Sequence, residues 1–201
     1  MRRTPAAPRR ARRAWRPALA LVALALAPWG PSSNARSDPP AERTLDTFGD
    51  LTPWQAVGSD GVRATIRPAE GPGGPALRLD FDLGGTAGYA LARRALAVEL
   101  PRRYEIVFYL RAEAPVNNFQ VKLVDASGDN VWWMNRADYQ FRREWQLIRI
   151  KTRHVDFAWG PTRERTLRRF ASIEFVVAAG RDGGQGSVYV SRLALRELPD
   201  E

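Results

Sequence analysis

Apolar and polar residues alternate strictly along several stretches of this chain. In one of them, Leu77, Leu79, Phe81 and Leu83 take every second position, with polar residues between them. A strand with one buried face shows this period of two, because successive side chains point to opposite faces. The same alternation predicts strands over 62–67, 77–83, 104–111, 119–123, 148–150, 173–177 and 188–195.

The last predicted strand changes phase between Val190 and Leu193. Unbroken alternation would place Arg192 on the buried side. One extra residue at Ser191 and Arg192 restores the apolar face, so we predict a β-bulge at these two positions.

Glycine- and proline-rich turns separate the predicted strands, and no stretch shows a sustained helical period. The turns lie at 71–75, 84–85, 127–129, 160–161 and 183–184. Short strands joined by such turns are typical of all-β proteins with antiparallel sheets. The pattern therefore predicts an antiparallel β-sandwich of jelly-roll type.

The first 35 residues have the layout of a secretory signal peptide. Seven arginines come first, the apolar run Ala18–Ala27 follows, and Pro28 and Pro31 lead into small residues up to Ala35. The apolar run is too short to span a bilayer, which takes about 20 residues, so no stable membrane insertion is expected. We predict a signal peptide over 1–35, a linker over 36–43, one domain over 44–198, and export to the periplasm or the medium.

The signal peptide changes what the net charge of +9 means. Residues 1–35 hold seven of the 31 Lys and Arg and none of the 22 Asp and Glu. Residues 36–201 therefore carry 24 basic and 22 acidic residues, a net charge of only +2. Such a balanced domain does not have the charge of a nucleic-acid-binding protein.

The chain has no cysteine and a single histidine, His154. These counts exclude disulfides, thiolate metal sites, thiol nucleophiles and any centre that needs two imidazoles. No twelve-residue run has the alternating acids of a calcium loop. No cofactor and no metal site are predicted.

The aromatic and polar residues that could form a binding site cluster between residues 125 and 161. Trp132 and Trp133 are adjacent, so in a strand they point to opposite faces, and at least one of them lies outside the core or under a loop. An indole can stack on a sugar ring while nearby polar groups form hydrogen bonds with the sugar hydroxyls. Alternatively, the indoles of Trp132 and Trp133 both pack inside the protein. We predict a carbohydrate site whose residues are Asn130, Trp132, Trp133, Asn135, Tyr139, His154, Asp156 and Trp159.

The sequence argues against an enzyme. The sequence has no Gly-x-Ser-x-Gly nucleophile motif with which the single histidine could form a catalytic triad. No two carboxylates have a spacing that indicates the acid pair of a glycosidase. Asp125 to Asp129 instead has the composition of a hairpin turn. A lyase that uses Tyr139, Arg153 and His154 stays open as the enzymatic alternative.

Nearly the whole of 44–198 resembles the galactose-binding-like β-sandwiches found as carbohydrate-binding modules of secreted bacterial glycoside hydrolases and in discoidin-type proteins. The specific stretch runs from Asn117 through Asp125, Gly128, Asn130, Trp132, Trp133 and Trp145 to the segment 153–161. The resemblance implies non-catalytic binding of a poly- or oligosaccharide. A protein-interaction or assembly module of the same fold is the alternative, because fold alone does not settle function.

One position departs from the resemblance. Such modules commonly carry two acids where this chain has Ser191 and Arg192, and an acid there helps to bind a structural calcium ion. The resemblance therefore implies that a calcium site of the family type is absent here.

Overall fold

The computed structural model describes residues 41–199. The signal peptide predicted over 1–35 and most of the linker predicted over 36–43 lie outside these residues. Strand β1 begins at Glu42, two residues before the predicted start of the domain, and the last strand ends at Glu197. No helix in the described part of the chain is long and apolar enough to cross a membrane.

Two antiparallel sheets of six strands each form the domain, which confirms the predicted β-sandwich. Sheet A contains, in spatial order, β3 (Arg63–Gly71), β4 (Gly74–Asp82), β12 (Gln185–Glu197), β6 (Tyr104–Glu113) and β9 (Gln146–Lys151), with β1 (Glu42–Asp46) paired to β12. Sheet B contains β10 (Asp156–Trp159), β8 (Val131–Tyr139), β7 (Asn117–Val124), β11 (Arg169–Ala178), β5 (Tyr89–Glu99) and β2 (Trp54–Gly58).

The core lies between the two sheets and contains the residues that the alternation placed inward. Phe81, Phe108, Leu123 and Phe175 are all buried, as predicted. Phe108 of sheet A meets Phe175 of sheet B edge to face, with ring centroids 5.0 Å apart. This is a favourable aromatic geometry, and it joins the centres of the two sheets.

The predicted bulge in β12 is confirmed. The register between β12 and β6 shifts between Ser191 and Ala194, and Arg192 has a φ of 53°. The extra residue turns Arg192 outward, while Leu193 is fully buried. The hydroxyl of Ser191 donates a hydrogen bond to the carbonyl of Pro75 at 2.9 Å.

Trp145 lies outside the core of the sandwich. It precedes β9 and lies half-buried on the outer face of sheet A, where its ring is 6.4 Å from that of Tyr189. The guanidinium of Arg111 lies over both rings, 3.8 Å from the centroid of Tyr189 and 5.5 Å from that of Trp145. The indole thus packs beneath a cation rather than between the sheets.

Candidate functional site

One row of side chains crosses the whole outer face of sheet B. Residues that are paired across neighbouring strands point to the same face, so the strand registers identify the row. Its centre is Lys122 of β7, which lies between Trp133 of β8 and Glu174 of β11. From one edge of the sheet to the other, the row is Asp156, Trp133, Lys122, Glu174, Arg93 and Gln55.

A groove of about 370 Å³ lies over the middle of this face. It is lined by residues of β5, β7, β8 and β11, by Trp159, and by the turn 125–128 between β7 and β8. Trp159 is 46% exposed and Tyr89 is 37% exposed, which makes them two of the three most exposed large apolar side chains described. The groove therefore has a polar floor between two accessible aromatic rings.

Trp132 faces the core, which corrects the expectation that it is a stacking surface. Its side chain is 4% exposed, and its indole N–H donates a hydrogen bond to the carbonyl of Arg165 at 2.9 Å. Its ring packs edge to face on Phe157, at 5.3 Å between centroids. Leu123, its partner across the strands, is also buried, so the neighbouring Trp133 takes the outer face.

Trp133 and Trp159 lie together on the outer face. Trp133 is half-buried, and its ring meets that of Trp159 nearly at right angles, with centroids 5.5 Å apart. Each ring supports the other and leaves part of its surface to solvent. Two of the four predicted stacking residues thus form one aromatic corner beside the groove.

Asn130 is buried, so it is corrected from a ligand contact to a structural residue. Its amide N–H donates to a carboxylate oxygen of Asp125 at 2.7 Å, and its side-chain oxygen accepts from the backbone N–H of Thr162 at 2.9 Å. Gly160 has a φ of 136°, and a Cβ there would lie 2.4 Å from the Asn130 side-chain oxygen. Asn130 therefore anchors the chain that leaves Trp159 to the β7–β8 turn.

Tyr139 and His154 are not part of the groove, which corrects both expectations. Tyr139 packs against the core, with its ring 5.6 Å from Phe119 and 5.0 Å from Phe141. His154 ends a short 3₁₀ helix, Thr152–His154, and its Nδ1 accepts a hydrogen bond from the backbone N–H of Lys151 at 3.2 Å. The imidazole therefore stabilises its own backbone turn, and within residues 41–199 no hydrogen bond joins it to Asp156.

Asn135 and Asp156 lie on the outer face with Trp133. Asn135 is exposed and is paired across the strands with Gln120 of β7. Asp156 is exposed and is paired with Trp133. Their side chains are available to a ligand that lies along the aromatic corner.

Four groove residues were not predicted from the sequence: Tyr89, Arg93, Lys122 and Glu174. Glu174 is buried and accepts a hydrogen bond from Nε of Arg93 at 2.6 Å. The ammonium of Lys122 lies 5.2 Å from the ring centroids of both Tyr89 and Trp159. Burial lowers the pKa of Lys122, and the charge of Glu174 partly opposes that change.

The acids near the bulge of β12 do not fit a calcium site. Asp46 accepts hydrogen bonds from the backbone N–H of Phe48 at 2.6 Å and from the indole N–H of Trp54 at 2.8 Å, and it pairs with Arg94. Glu42 pairs with Arg196 at 2.6 Å and with Arg192. No group of three acids or histidines within residues 41–199 is arranged to hold a metal ion.

We therefore expect a chelator to leave the melting temperature of the protein nearly unchanged, because guanidinium groups already neutralise Asp46 and Glu42. Differential scanning calorimetry in EDTA and in excess calcium measures this. A large drop in EDTA that calcium reverses would show that other oxygens, such as those of Asp50, build a site.

Comparison with known proteins identifies the fold. No protein-family model matches the sequence, and no curated protein matches it. Among solved structures, the family 11 carbohydrate-binding module of a cellulosomal cellulase from Clostridium thermocellum matches with a TM-score of 0.65 and 18% identity, over 81% of this chain and 98% of the module. The same family 11 module in complex with a β-1,3-1,4-mixed-linked tetrasaccharide matches with a TM-score of 0.64 and 18% identity, over 80% and 98%.

An exo-β-agarase also matches, with a TM-score of 0.53 and 12% identity, over 79% of this chain and 25% of the enzyme. The domain therefore has the β-sandwich fold of carbohydrate-binding modules, which confirms the predicted resemblance at the level of the fold. At these identities the similarity describes the architecture alone, and the function has to be argued from the groove.

Proposed function

We propose that this protein is a non-catalytic carbohydrate-binding module, and that it binds a glycan in the groove of sheet B. The observation that carries the proposal is the aromatic corner of Trp133 and Trp159 beside a row of polar side chains. Trp159 is 46% exposed and offers ring surface for stacking, and Trp133 contacts it edge to face at 5.5 Å. Asn135, Asp156 and Lys122 supply donors and acceptors for sugar hydroxyls on the same face.

The non-catalytic part of the proposal rests on the positions of the candidate catalytic groups. The lyase alternative needs Tyr139, Arg153 and His154 around one substrate. Tyr139 instead packs on Phe119, and His154 is engaged by its own backbone turn. The two acids that line the groove already accept hydrogen bonds from protein groups. Glu174 accepts from Arg93, and Asp125 accepts from Ser127 and Asn130.

The alternative of a protein-interaction module is disfavoured by the polarity of the groove. Interface cores are apolar and depleted in charge, whereas Lys122, Glu174 and Arg93 lie side by side here. The aliphatic residues on this face, among them Leu91, Val124, Val131 and Val176, are buried and offer no flat patch.

We expect a soluble oligosaccharide of the matching type to quench or shift the tryptophan fluorescence of the purified protein. Trp159→Ala should abolish both binding and the spectral response, because the exposed ring contributes most of the stacking surface. A glycan array finds the ligand, and fluorescence titration measures the affinity. Trp145→Ala, on the outer face of sheet A, is the matched control and should bind as the wild type does. Capture of a protein partner without any glycan response would favour the alternative.

The proposal includes export, which rests on the leader predicted over residues 1–35. Mass spectrometry of the protein purified from its native host is expected to show loss of roughly the first 27 to 35 residues. An intact amino terminus on protein recovered from the cytoplasm would contradict it.

A further inference from the structure

The groove has a cation at its centre. Lys122 lies in the middle of β7, and its ammonium is 5.2 Å from the ring centroids of both Tyr89 and Trp159. These two rings are the exposed aromatic surfaces of the groove. A ligand that covers Trp159 on the groove side would therefore lie close to the ammonium.

The Lys122 ammonium forms no direct ion pair within residues 41–199, although the charge of the neighbouring Glu174 acts on it. Across residues 41–199 no carboxylate oxygen lies within 4.0 Å of its Nζ, and it donates no hydrogen bond to a protein acceptor. The neighbouring Glu174 is engaged by Arg93 at 2.6 Å. Asp125, the other acid that lines the groove, accepts hydrogen bonds from the hydroxyl of Ser127 at 2.6 Å and the amide of Asn130 at 2.7 Å.

Arg93 adds a second cation to the same row. Its pair with Glu174 uses Nε, and its side chain is 47% exposed and lines the groove. It lies two strands from Lys122, on the order of 10 Å away at strand spacing. The exposed acid of the row, Asp156, lies on the far side of Trp133.

We propose that the groove is specific for an acidic glycan, whose carboxylate or sulfate group pairs with the Lys122 ammonium while the adjoining sugar ring stacks on Trp159. This inference rests on the proposed function and names the class of its ligand. An anion at Nζ would give a half-buried charge a direct ion pair, and charge-assisted hydrogen bonds are stronger than neutral ones. A cationic amino sugar would meet Lys122 with like charge, and a neutral sugar would form no ion pair with it.

The test compares matched ligands on the full-length protein by isothermal titration calorimetry. Oligogalacturonate represents the carboxylate class, and its fully methyl-esterified form is the neutral counterpart. A carrageenan oligosaccharide and its desulfated form represent the sulfate class. The β-1,3-1,4-mixed-linked tetrasaccharide serves as a further neutral glycan. We expect at least one charged ligand to bind about 10-fold or more tightly than its neutral counterpart, and its affinity to fall as salt rises.

Variants assign the effect to Lys122. Lys122→Gln should weaken binding of the charged ligand about 10-fold or more and remove most of the salt dependence, while Lys122→Arg should retain most of the affinity. Melting temperature should change little in both, since the ammonium forms no ion pair with the protein and its ring contacts are with two exposed side chains. Arg63→Gln removes one charge from the exposed edge of sheet A and should bind as the wild type does.

The outcomes separate this inference from the proposed function. Binding of neutral glycans alone, or equal binding of charged and neutral counterparts, would overturn the acidic specificity and leave the carbohydrate-binding proposal standing. Charged-ligand binding that Lys122→Gln does not weaken would overturn the assignment to Lys122. Binding of no glycan of either class by the folded wild type would overturn both proposals.

Discussion

Trp132→Ala is expected to lower the free energy of unfolding by about 3–5 kcal/mol, whereas Trp133→Ala should lower it by roughly 1 kcal/mol. The two indoles are neighbours in β8 but have different surroundings. Trp132 is 4% exposed, packs on Phe157 and donates its N–H to the carbonyl of Arg165. Its removal leaves a cavity and an unsatisfied carbonyl. Trp133 is half-buried on the outer face, where solvent can fill the space it leaves.

Equilibrium unfolding in urea, followed by far-ultraviolet circular dichroism, measures both effects. The pair also separates stability from binding, since Trp133→Ala should weaken the glycan response in a protein that is still folded. Trp132→Phe, which keeps an aromatic ring in the core, should cost less than Trp132→Ala. Equal destabilisation by the two alanine variants would contradict the assignment of one indole to the core and the other to the groove.

Sheet A follows closely from the sequence, because its strands have one polar and one apolar face. Residues 62–67, 77–83, 104–111, 148–150 and 188–195 alternate in the sequence, and each lies within or largely overlaps a strand of this sheet. The bulge at Arg192 is also visible, since one residue breaks an otherwise regular phase. In these strands the alternating apolar positions all lie in the core or pack against it.

Two long strands of sheet B escape the same argument. In β5, the consecutive residues Ala90, Leu91 and Ala92 are all buried. In β8, Val131 and Trp132 are buried in succession. Here the outer face is itself partly covered by groove side chains, so both faces of the strand are shielded from water and the period of two is lost. The alternation is therefore lost in two of the strands that build the candidate site.

The candidate site shows the same division. Half of the site comes from β8 and β10, which are close in sequence. Local composition predicted these residues as site residues: Trp133, Asn135, Asp156 and Trp159. Tyr89, Arg93, Lys122 and Glu174 come from β5, β7 and β11, which are brought side by side only by the strand order. Alternation places Lys122 and Glu174 outward, but their adjacency is a property of the register. The charge of the groove is therefore a tertiary feature.

Arg94→Met is expected to lower the free energy of unfolding by about 3–5 kcal/mol, because it leaves a buried carboxylate without its counter-ion. Arg94 pairs with Asp46, and these side chains are 22% and 5% exposed. The same carboxylate accepts from the indole N–H of Trp54, and the ring of Trp54 stacks on Phe175 at 5.8 Å. The unpaired charge would thus lie at the end of the core, against the aromatic contact between β1, β2 and β11.

Two further variants serve as a control and as a test of the buried charge. Arg63→Met breaks the pair with Asp82, in which the arginine side chain is 82% exposed, and should cost less than about 1 kcal/mol. Adding Asp46→Asn to Arg94→Met should restore part of the lost stability, since the neutral amide removes the buried charge and its single oxygen still accepts one of the two hydrogen bonds that Asp46 accepts. Chemical denaturation of the four proteins measures the differences. A cost for Arg94→Met no larger than that for Arg63→Met would mean that the Asp46 carboxylate is hydrated, and that the aromatic cluster of Trp54 is held by packing alone.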